Sequence, residues 1–447
     1  MFSLKTQRQP GNLPALVRSP AAMMIVALVF RLCVIWGLHT YRHILPEDPR
    51  VGGEMELVAE SIASGNGFSS PYPGADTGPT SEAPPAFPYL LGGIFRVFGI
   101  NTEASVLTIL CLDSLFSALT CNAIFYIGKR TFGPVVASWA GWSWAFMPFA
   151  IWWAAFHVWE TTLSALLLSL VFLFTLRLEA STRFPAWIGY GLLWGLIALT
   201  NTALLAFLPL CLIWLWTRRG HGKKFLRRIV FALLACLATV APWLVRNYLV
   251  FGRLVPIRDG LGLELWLGNH EGATGKLAWW NNPGRNLREM EQYRRMGELA
   301  YYTEKRNEAI AWISRHPVRF VGISLKRFVF FWSGTNRAGT VLDRNSMPFF
   351  AARLVASSLF SVLAFAGLWV AVREKKHGAW LFTSLLFSVP LVYYVTHADT
   401  ARYRHPIEPA MTLLSVYGLG CLSSRFVRAR WERARTRGED HGPPLRG

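Results

Sequence analysis

Residues 229–246 read IVFALLACLATVAPWLVR, a run whose only charged side chain is Arg246 at its end. A helix needs about 20 mainly apolar residues to cross the hydrocarbon of a bilayer, so this stretch predicts a membrane-spanning helix. Similar runs recur along most of the chain and predict about ten spans in a single polytopic domain, residues 1–447. They lie near 21–40, 104–127, 134–155, 161–177, 184–199, 202–217, 229–246, 350–372, 379–396 and 407–424. The expected fold class is therefore all-α integral membrane.

The composition favours a membrane bundle over soluble domains. Hydrophobic residues make up 53% of the 447 positions and charged residues only 16%, against roughly a quarter in ordinary soluble domains. A formal charge of +20 would indicate nucleic acid in a soluble protein, but here the basic residues flank the spans, and no nucleic-acid partner is expected. The six cysteines all fall in apolar segments, which argues against a disulfide framework or a cysteine metal site.

Basic residues at the ends of the spans predict the orientation, because cytoplasmic loops carry an excess of lysine and arginine. With the N-terminus in the cytoplasm, the cytoplasmic segments hold 23 of them and the short outside loops five. This assignment requires that 85–99 does not cross, and this stretch and 318–333 predict helices lying in the membrane interface. The basic tail, 425–447, is then cytoplasmic beside anionic lipid. Two long loops, 42–103 and 247–348, face the outside.

The first outside loop carries a short helical stretch with three acids, Glu54, Glu56 and Glu60. Glu54 shares an i, i+4 stripe with Val58 and Ile62 and so heads the buried face. Glu56 and Glu60 line another face and are expected to face water. A carboxylate held at Glu54 could serve as general base for an acceptor hydroxyl. On spacing alone, an acid favoured in the first turn by the helix dipole is the simpler interpretation.

Longer motifs accompany these acids. The first loop contains Gly65-Asn66-Gly67-Phe68, Gly78-Pro79-Thr80 and Pro84-Pro85-Ala86-Phe87-Pro88-Tyr89-Leu90-Leu91. Further along come Trp159-Glu160-Thr161, Pro242-Trp243, Arg246-Asn247-Tyr248, Leu265-Trp266-Leu267-Gly268-Asn269 and Arg402-Tyr403-Arg404-His405-Pro406. Together these motifs resemble the superfamily C (GT-C) glycosyltransferases, which include the protein O-mannosyltransferases and the lipid A aminoarabinose transferases. The resemblance covers nearly the whole chain, and its most specific part is the first loop.

The resemblance implies an inverting transfer of a sugar from a polyprenyl-phosphate donor to an acceptor hydroxyl, at the outside face of a bacterial inner membrane. Glu54 is then the expected catalytic base and Glu56 the alternative. The family usually has an aspartate here, often in an Asp-Glu pair, whereas this chain has Glu-x-Glu. That departure leaves open which acid is the base and whether a divalent metal takes part. The sugar and the acceptor, whether protein, lipid or glycan, stay open as well.

The departing lipid phosphate requires positive charge near the interface, because its tail stays in the bilayer. Arginine suits this role, since its guanidinium group is always charged and can bind two oxygens at once. The candidates at that depth are Arg246, at the outer end of its span, and Arg402, Arg404 and His405, at the start of the last span. Anchoring in the interface is the alternative role for each of them.

Further candidates complete the substrate-binding set. Glu160 matches an acid in the family's second outside loop, with a solvated helix start as the alternative. Asn269 and His270 lie in the second long loop, where they would contact donor or acceptor or else form a turn. Arg31 and Asp113 lie within spans, where ionisable residues are costly, and they could pair with each other.

Two alternatives come from other functional classes. A transporter or flippase of lipid-linked sugars would have broken helices and an ionisable relay at mid-membrane, whereas the charged candidates here cluster at the outside surface. A noncatalytic component of envelope polysaccharide assembly would tolerate replacement of Glu54. The sequence has no glycine-rich phosphate loop, paired-cysteine zinc site or nucleophile elbow, which suits a lipid-linked donor better than a sugar nucleotide.

Overall fold

The computed structural model describes residues 14–42, 53–74, 76–219, 222–334, 347–398 and 401–436, with the backbone alone at 347–350 and 424–436. Within these ranges the chain is helical, and its one β pairing is an isolated bridge between Ser69 and Pro79. The all-α fold expected from the sequence is confirmed.

The described residues of the first half of the chain form ten α-helices, two of them in the first long loop. They are α1 (Pro20–Leu38), α2 (Glu54–Ala63), α3 (Ala86–Phe98), α4 (Glu103–Thr131), α5 (Pro134–Ala145), α6 (Pro148–Phe156), α7 (Thr161–Leu178), α8 (Phe184–Thr200), α9 (Leu208–Arg219) and α10 (Lys223–Phe251). A 3-10 helix, Thr202–Phe207, leads directly into α9.

The second half begins with the second long loop and ends with the last apolar helices. Its helices are α11 (Leu261–Gly268), α12 (Leu287–Met296), α13 (Glu298–Arg315), α14 (Pro317–Ser333), α15 (Met347–Arg373), α16 (Ala379–Ser388), α17 (Leu391–Val395) and α18 (Glu408–Thr436). Two 3-10 turns, Ala401–Tyr403 and His405–Ile407, precede α18.

Among the described residues, six helical segments are long and apolar enough to cross a membrane. They are α1, α4, α7, Thr202–Arg219, α10 and the greater part of α15. The chain is thus a multi-pass membrane protein. The other predicted spans are also helical, as α5 with α6, α8, α16 with α17, and α18. The total of about ten spans stays a prediction.

The predicted span 134–155 is interrupted, and a buried arginine donates hydrogen bonds to backbone carbonyl oxygens at the break. α5 ends at Ala145 and α6 begins at Pro148, which has no N–H to continue a helix. Arg31 donates to the carbonyl oxygens of Trp144, at 3.2 Å, and Ala145, at 2.9 Å. The suggested pairing of Arg31 with Asp113 is therefore wrong, and Asp113 instead accepts a hydrogen bond from a threonine, Thr162, at 2.6 Å.

The described residues of the two long loops, 53–102 and 252–316, pack together and are called the cap below. α2 lies against α3, and a Cβ added at Gly92 would come within 2.9 Å of Ile62, so only glycine allows this approach. Tyr72 of the first loop meets Tyr302 of the second, with 3.0 Å between their hydroxyl oxygens. The cap therefore brings side chains from both loops to one side of the bundle.

Candidate active site

The N-terminus of α2 fixes the position of Glu54. Gly53, which precedes it, has a φ of 52°, and a Cβ there would lie 3.3 Å from the ring of Trp159. This left-handed conformation favours glycine and lets the helix start directly beside the tryptophan. Met55 and Val58 are buried in an apolar cluster with residues of other helices. Glu54 is half-buried at the first turn, next to the loop that carries Trp159.

Three charged residues from distant parts of the chain surround Glu54. The negative charge of Glu54 reaches Glu160, Arg258 and Arg402 and acts on the pKa of each. Burial raises the pKa of Glu160, and Arg402 opposes that rise more strongly than Glu54 adds to it. The structure thus brings together three residues predicted from the sequence, Glu54, Glu160 and Arg402.

Arg402 is held by stacking. Its guanidinium carbon lies 3.8 Å from the centroid of the Trp159 ring and 5.1 Å from that of Tyr403. Burial alone would lower the pKa of Arg402, but the nearby Tyr403, Glu160 and Glu54 raise it overall. Within the described part of the chain, its buried Nη1 has no hydrogen-bond partner. One guanidinium nitrogen is therefore positioned at the site with its hydrogens unused.

Arg258, a cation that sequence reasoning missed, lies at the centre of a second group of charges. Its Nη2 is 3.5 Å from Oε1 of Glu82 and 3.5 Å from Oε1 of Glu264. Glu264 in turn contacts Nε2 of His397, with 2.5 Å between Oε2 and the ring nitrogen. Two carboxylates on one nitrogen fix the orientation of the guanidinium plane. Nε of Arg258 is buried and, among the described residues, unpaired.

The pKa values of the two carboxylates around Arg258 are shifted in opposite directions. Burial raises the pKa of Glu82 well above its usual range, although the charge of Arg258 opposes the rise. Burial would also raise the pKa of Glu264, but the charge and hydrogen bond of His397, with Arg258, lower it to about 2. Of the two carboxylates, Glu82 is therefore the more readily protonated, and Glu264 is ionised at neutral pH.

Four buried polar atoms without a partner among the described residues converge on this site. They are Nε of Arg258, Nη1 of Arg402, Oε2 of Glu82 and Oε2 of Glu160. Buried polar atoms in folded proteins are nearly always hydrogen-bonded, and each exception calls for an explanation such as a ligand or a catalytic role. Two donors and two acceptors beside one carboxylate make a site for a polar, anionic ligand.

Glu56 lies on another side of α2, and the expectation that it faces water is wrong. It is 5% exposed. Burial and the charge of Glu60 raise the pKa of Glu56 to about 8, against an opposing hydrogen bond from Asn101. Asn101 also donates to Glu60 at 2.6 Å. The turn that carries Asn101 covers this side of α2, so Glu56 is buried away from Arg258 and Arg402.

Arg246 supports the first loop. Its Nη1 donates to the carbonyl oxygen of Thr80 at 2.8 Å and its Nη2 to that of Phe68 at 2.8 Å. The guanidinium group also lies over the ring of Trp243, 4.7 Å from its centroid. Because its donors are taken by backbone carbonyls, we leave Arg246 out of the candidate site.

Arg404 and His405 share one buried carboxylate. Nε of Arg404 lies 3.0 Å from Oε1 of Glu408, and Nδ1 of His405 lies 2.8 Å from Oε2 of the same residue. Arg404 also donates to the carbonyl oxygen of Trp332 at 3.0 Å. These contacts tie both residues to helices of the bundle, while Nη2 of Arg404 and Nε2 of His405 stay buried without a partner among the described residues.

Asn269 and His270 are neighbours in sequence but differ in burial and in their hydrogen-bond partners. Asn269 is fully buried, donates to the carbonyl oxygen of Val395 at 2.9 Å, and accepts from Arg327 at 3.1 Å. It therefore ties the second loop to α17. His270 is partly exposed, and its Nδ1 lies 2.5 Å from the carbonyl oxygen of Glu271. Burial lowers the pKa of His270. Neither residue joins the group around Arg258.

Sequence reasoning missed Glu82, Arg258, Glu264 and His397. Glu82 directly precedes the Ala83-Pro84-Pro85 segment, where the motif gave a signal. The other three lie in the second long loop or just before α18, without a recognisable pattern. In the described residues, no three His, Cys, Asp or Glu side chains are placed to hold a metal ion.

Comparison with known proteins gives a fold and a family match. Residues 82–245 match the family described as dolichyl-phosphate-mannose-protein mannosyltransferase. The apo oligosaccharyltransferase of Archaeoglobus fulgidus superposes with a TM-score of 0.52 at 13% identity, over 93% of this chain and 52% of that one. No curated protein sequence matches the chain. The chain therefore has the fold of the superfamily C glycosyltransferases, as its motifs predicted.

Two further structures are similar. The oligosaccharyltransferase AglB of the same archaeon, with an inhibitory peptide and a dolichol-phosphate, gives a TM-score of 0.51 at 12% identity, over 96% of this chain and 52% of that one. ArnT from Cupriavidus metallidurans bound to undecaprenyl phosphate gives 0.41 at 15% identity, over 94% and 81%. This chain spans about half the length of the archaeal structures it matches.

Proposed function

We propose that the protein transfers a sugar from a polyprenyl-phosphate donor to an acceptor hydroxyl, with inversion at the anomeric carbon. The observation that carries the proposal is the position of Glu54 beside Arg258 and Arg402, each of which has an unpaired buried nitrogen. A base next to two anion-binding donors is what an inverting displacement of a phosphate leaving group needs.

In this reaction the acceptor oxygen bonds to the anomeric carbon while the bond from that carbon to the phosphate oxygen breaks. The proton of the acceptor hydroxyl goes to Glu54. The electron pair of the broken bond stays on the phosphate, which leaves as polyprenyl phosphate. Nε of Arg258 and Nη1 of Arg402 donate to the phosphate oxygens and offset the charge that develops there.

Glu160 organises the site without taking the proton in this scheme. The charges of Arg402 and Glu54 both act on it, and it is 7% exposed. Its unpaired Oε2 is an acceptor that suits a hydroxyl of the sugar. Hydrogen bonds of this kind fix the orientation of a substrate relative to its base.

We further propose that the cap faces the outside of a bacterial inner membrane and that both chain ends lie in the cytoplasm. The distribution of lysine and arginine along the chain supports this orientation. A donor held by its lipid tail would then meet an extracytoplasmic acceptor at the cap. The oligosaccharyltransferase complex with an inhibitory peptide and a dolichol-phosphate offers a precedent for a lipid phosphate on this fold.

The test compares Glu54→Gln with Glu56→Gln in purified protein reconstituted in lipid. A panel of labelled polyprenyl-phosphate sugars is combined with protein, lipid and glycan acceptors, and release of polyprenyl phosphate is measured. We expect Glu54→Gln to reduce turnover by about 10²–10⁴, the usual contribution of a positioned base, with donor binding retained. Glu56→Gln is the matched control, because it removes a neighbouring acid on another side of α2.

Other outcomes would reject parts of the proposal. Full turnover in Glu54→Gln would exclude Glu54 as the base and direct attention to Glu160. Transbilayer movement of the donor without acceptor-dependent release would reject the transferase and favour a transporter.

A further inference from the structure

The segment Thr80–Glu82 is fastened by a single carboxylate from the other long loop. Glu298, the first residue of α13, accepts four hydrogen bonds with both of its oxygens. Oε2 accepts from the hydroxyls of Thr80, at 2.5 Å, and Tyr293, at 2.9 Å. Oε1 accepts from the backbone N–H of Ser81, at 2.6 Å, and its hydroxyl, at 2.7 Å. One side chain of the second loop thus holds two consecutive residues of the first.

This contact is buried and specific. Glu298 is 7% exposed, and Thr80 and Ser81 are fully buried. A carboxylate with four donors in good geometry has little freedom to rotate, and losing it would leave buried donors unpaired. The contact joins residues more than 200 positions apart in sequence. It therefore sets the relative position of the two loops where they meet.

The fastened segment carries one partner of Arg258 and contacts the residue after it. The N–H of Glu82 donates to Oγ1 of Thr80 at 3.0 Å, the oxygen that donates to Glu298. The N–H of Asp259 donates to the carbonyl oxygen of Ser81 at 3.2 Å. Thr80 thus contacts the backbone of Glu82, and Ser81 contacts the backbone of the residue that follows Arg258.

We propose that Glu298 is a positioning residue for the lipid phosphate, acting through Glu82 and Arg258. By fixing Thr80–Glu82, it keeps the guanidinium group of Arg258 oriented with Nε turned to the phosphate. This role rests on the proposed function, since it assigns phosphate binding to Arg258. It predicts that Glu298 sets donor affinity while Glu54 sets the rate of the chemical step.

The cap offers a matched control, Glu289. It is also a carboxylate at the start of a cap helix, and it accepts from Tyr301 at 2.7 Å and pairs with Lys305 at 2.9 Å. None of these partners belongs to Thr80–Glu82. Glu289→Ala should therefore reproduce a general loss of cap stability without a loss of donor affinity.

The experiment measures equilibrium binding of polyprenyl phosphate to the full-length protein in lipid, together with KM and kcat for the donor. We expect Glu298→Ala to weaken binding and raise KM about tenfold, the scale of a lost buried hydrogen-bond network, with kcat little changed. Glu298→Gln should bind nearly as the wild type does, because its oxygen can serve Ser81 and the hydroxyls can accept from its amide. Glu289→Ala should leave affinity unchanged.

A double-mutant cycle tests whether the effect runs through Glu82. In a Glu82→Gln background, Glu298→Ala should add little further loss if Glu82 transmits its effect. The inference would be overturned if the two substitutions weakened the affinity for polyprenyl phosphate independently, so that their fold-changes multiply in the double variant. It would also be overturned if Glu298→Ala kept the wild-type affinity. If Glu298→Ala does not fold, Ser81→Ala removes one of the four hydrogen bonds, and an unchanged affinity in that variant would count against the proposal.

Failure of the proposed function gives a different result. If Arg258→Ala binds polyprenyl phosphate as the wild type does, phosphate binding at Arg258 is rejected, and the inference falls with it. If Arg258→Ala loses affinity and Glu298→Ala does not, only the positioning role is rejected.

Discussion

Arg402 and Arg404 stand two residues apart at the start of α18, yet the structure gives them opposite surroundings. Arg402 stacks on Trp159, near Glu160 and Glu54. Arg404 is 1% exposed and bonds Glu408 at 3.0 Å. One arginine faces a candidate ligand site and the other faces the interior of a helix bundle.

The geometry of the chain explains the difference. Arg402 lies within the 3-10 turn Ala401–Tyr403, and Arg404 lies between that turn and the next one, His405–Ile407, with helical backbone angles. Side chains two positions apart on such a tightly wound backbone point to different sides. One direction leads to the loop before α7, the other to α14 and α15. An Arg-x-Arg motif at the end of a span thus does not imply a shared role, and each prediction below tests one side of this contrast.

The largest effect is expected from Arg404→Ala. This change removes the ion pair of Arg404 with the buried Glu408, whose remaining hydrogen-bond partner among the described side chains of this turn is His405, and it should destabilise the protein by about 3–5 kcal/mol. Thermal unfolding and size-exclusion behaviour in detergent would measure it, with Arg402→Ala as the comparison that should lower the melting temperature less. A stable Arg404→Ala protein that has lost only donor binding would instead place Arg404 in the site.

Arg402→Lys should have the next largest effect, on binding and not on stability. Lysine keeps the charge but lacks the planar fork and the stacking surface that Trp159 holds. We expect affinity for polyprenyl phosphate to fall about 10- to 100-fold, from a lost charge-assisted hydrogen bond and part of a cation–π contact. Equilibrium binding in lipid checks this, and Arg96→Lys, at an exposed position of α3, should bind as the wild type does. Unchanged affinity in Arg402→Lys would remove Arg402 from the phosphate site.

The helical fold could be predicted from sequence because each membrane-spanning segment needs its own run of about 20 mainly apolar residues. The run 161–177 became α7, Thr161–Leu178, and 229–246 lies within α10, Lys223–Phe251. The interruption at 146–147 was not predicted, because the backbone carbonyls left unpaired by the break are hydrogen-bonded by Arg31 from another helix. A local pattern of hydrophobicity carries no information about such a distant partner.

The candidate site was only half predictable. Glu54 and Arg402 could be proposed because they belong to motifs near the membrane surface. Arg258 and Glu264 gave no signal, since their importance comes from contacts with Glu82 and with His397, over 100 residues away from each. Charges that meet only in the folded chain cannot be paired from a single sequence.

Glu56 provides the last and smallest prediction, on the side of α2 away from Glu54. Burial and the charge of Glu60, opposed by a hydrogen bond from Asn101, raise the pKa of Glu56 to about 8. The folded protein then holds this proton more tightly than the unfolded chain, so its contribution to stability is complete below about pH 4.3 and is lost as pH rises through 8. Between pH 6 and pH 8 the loss is at most about 2–3 kcal/mol. We expect the melting temperature of the wild type to fall over this range and Glu56→Gln to lessen that fall, because the buried Glu82, whose pKa is also raised, contributes to it as well. Glu103→Gln, at an exposed site paired with Arg42, should retain the whole fall. An equal fall in the melting temperature of Glu56→Gln would show that Glu56 is already ionised in the folded protein over this pH range. Burial would then not explain why Glu56 and Glu54 differ.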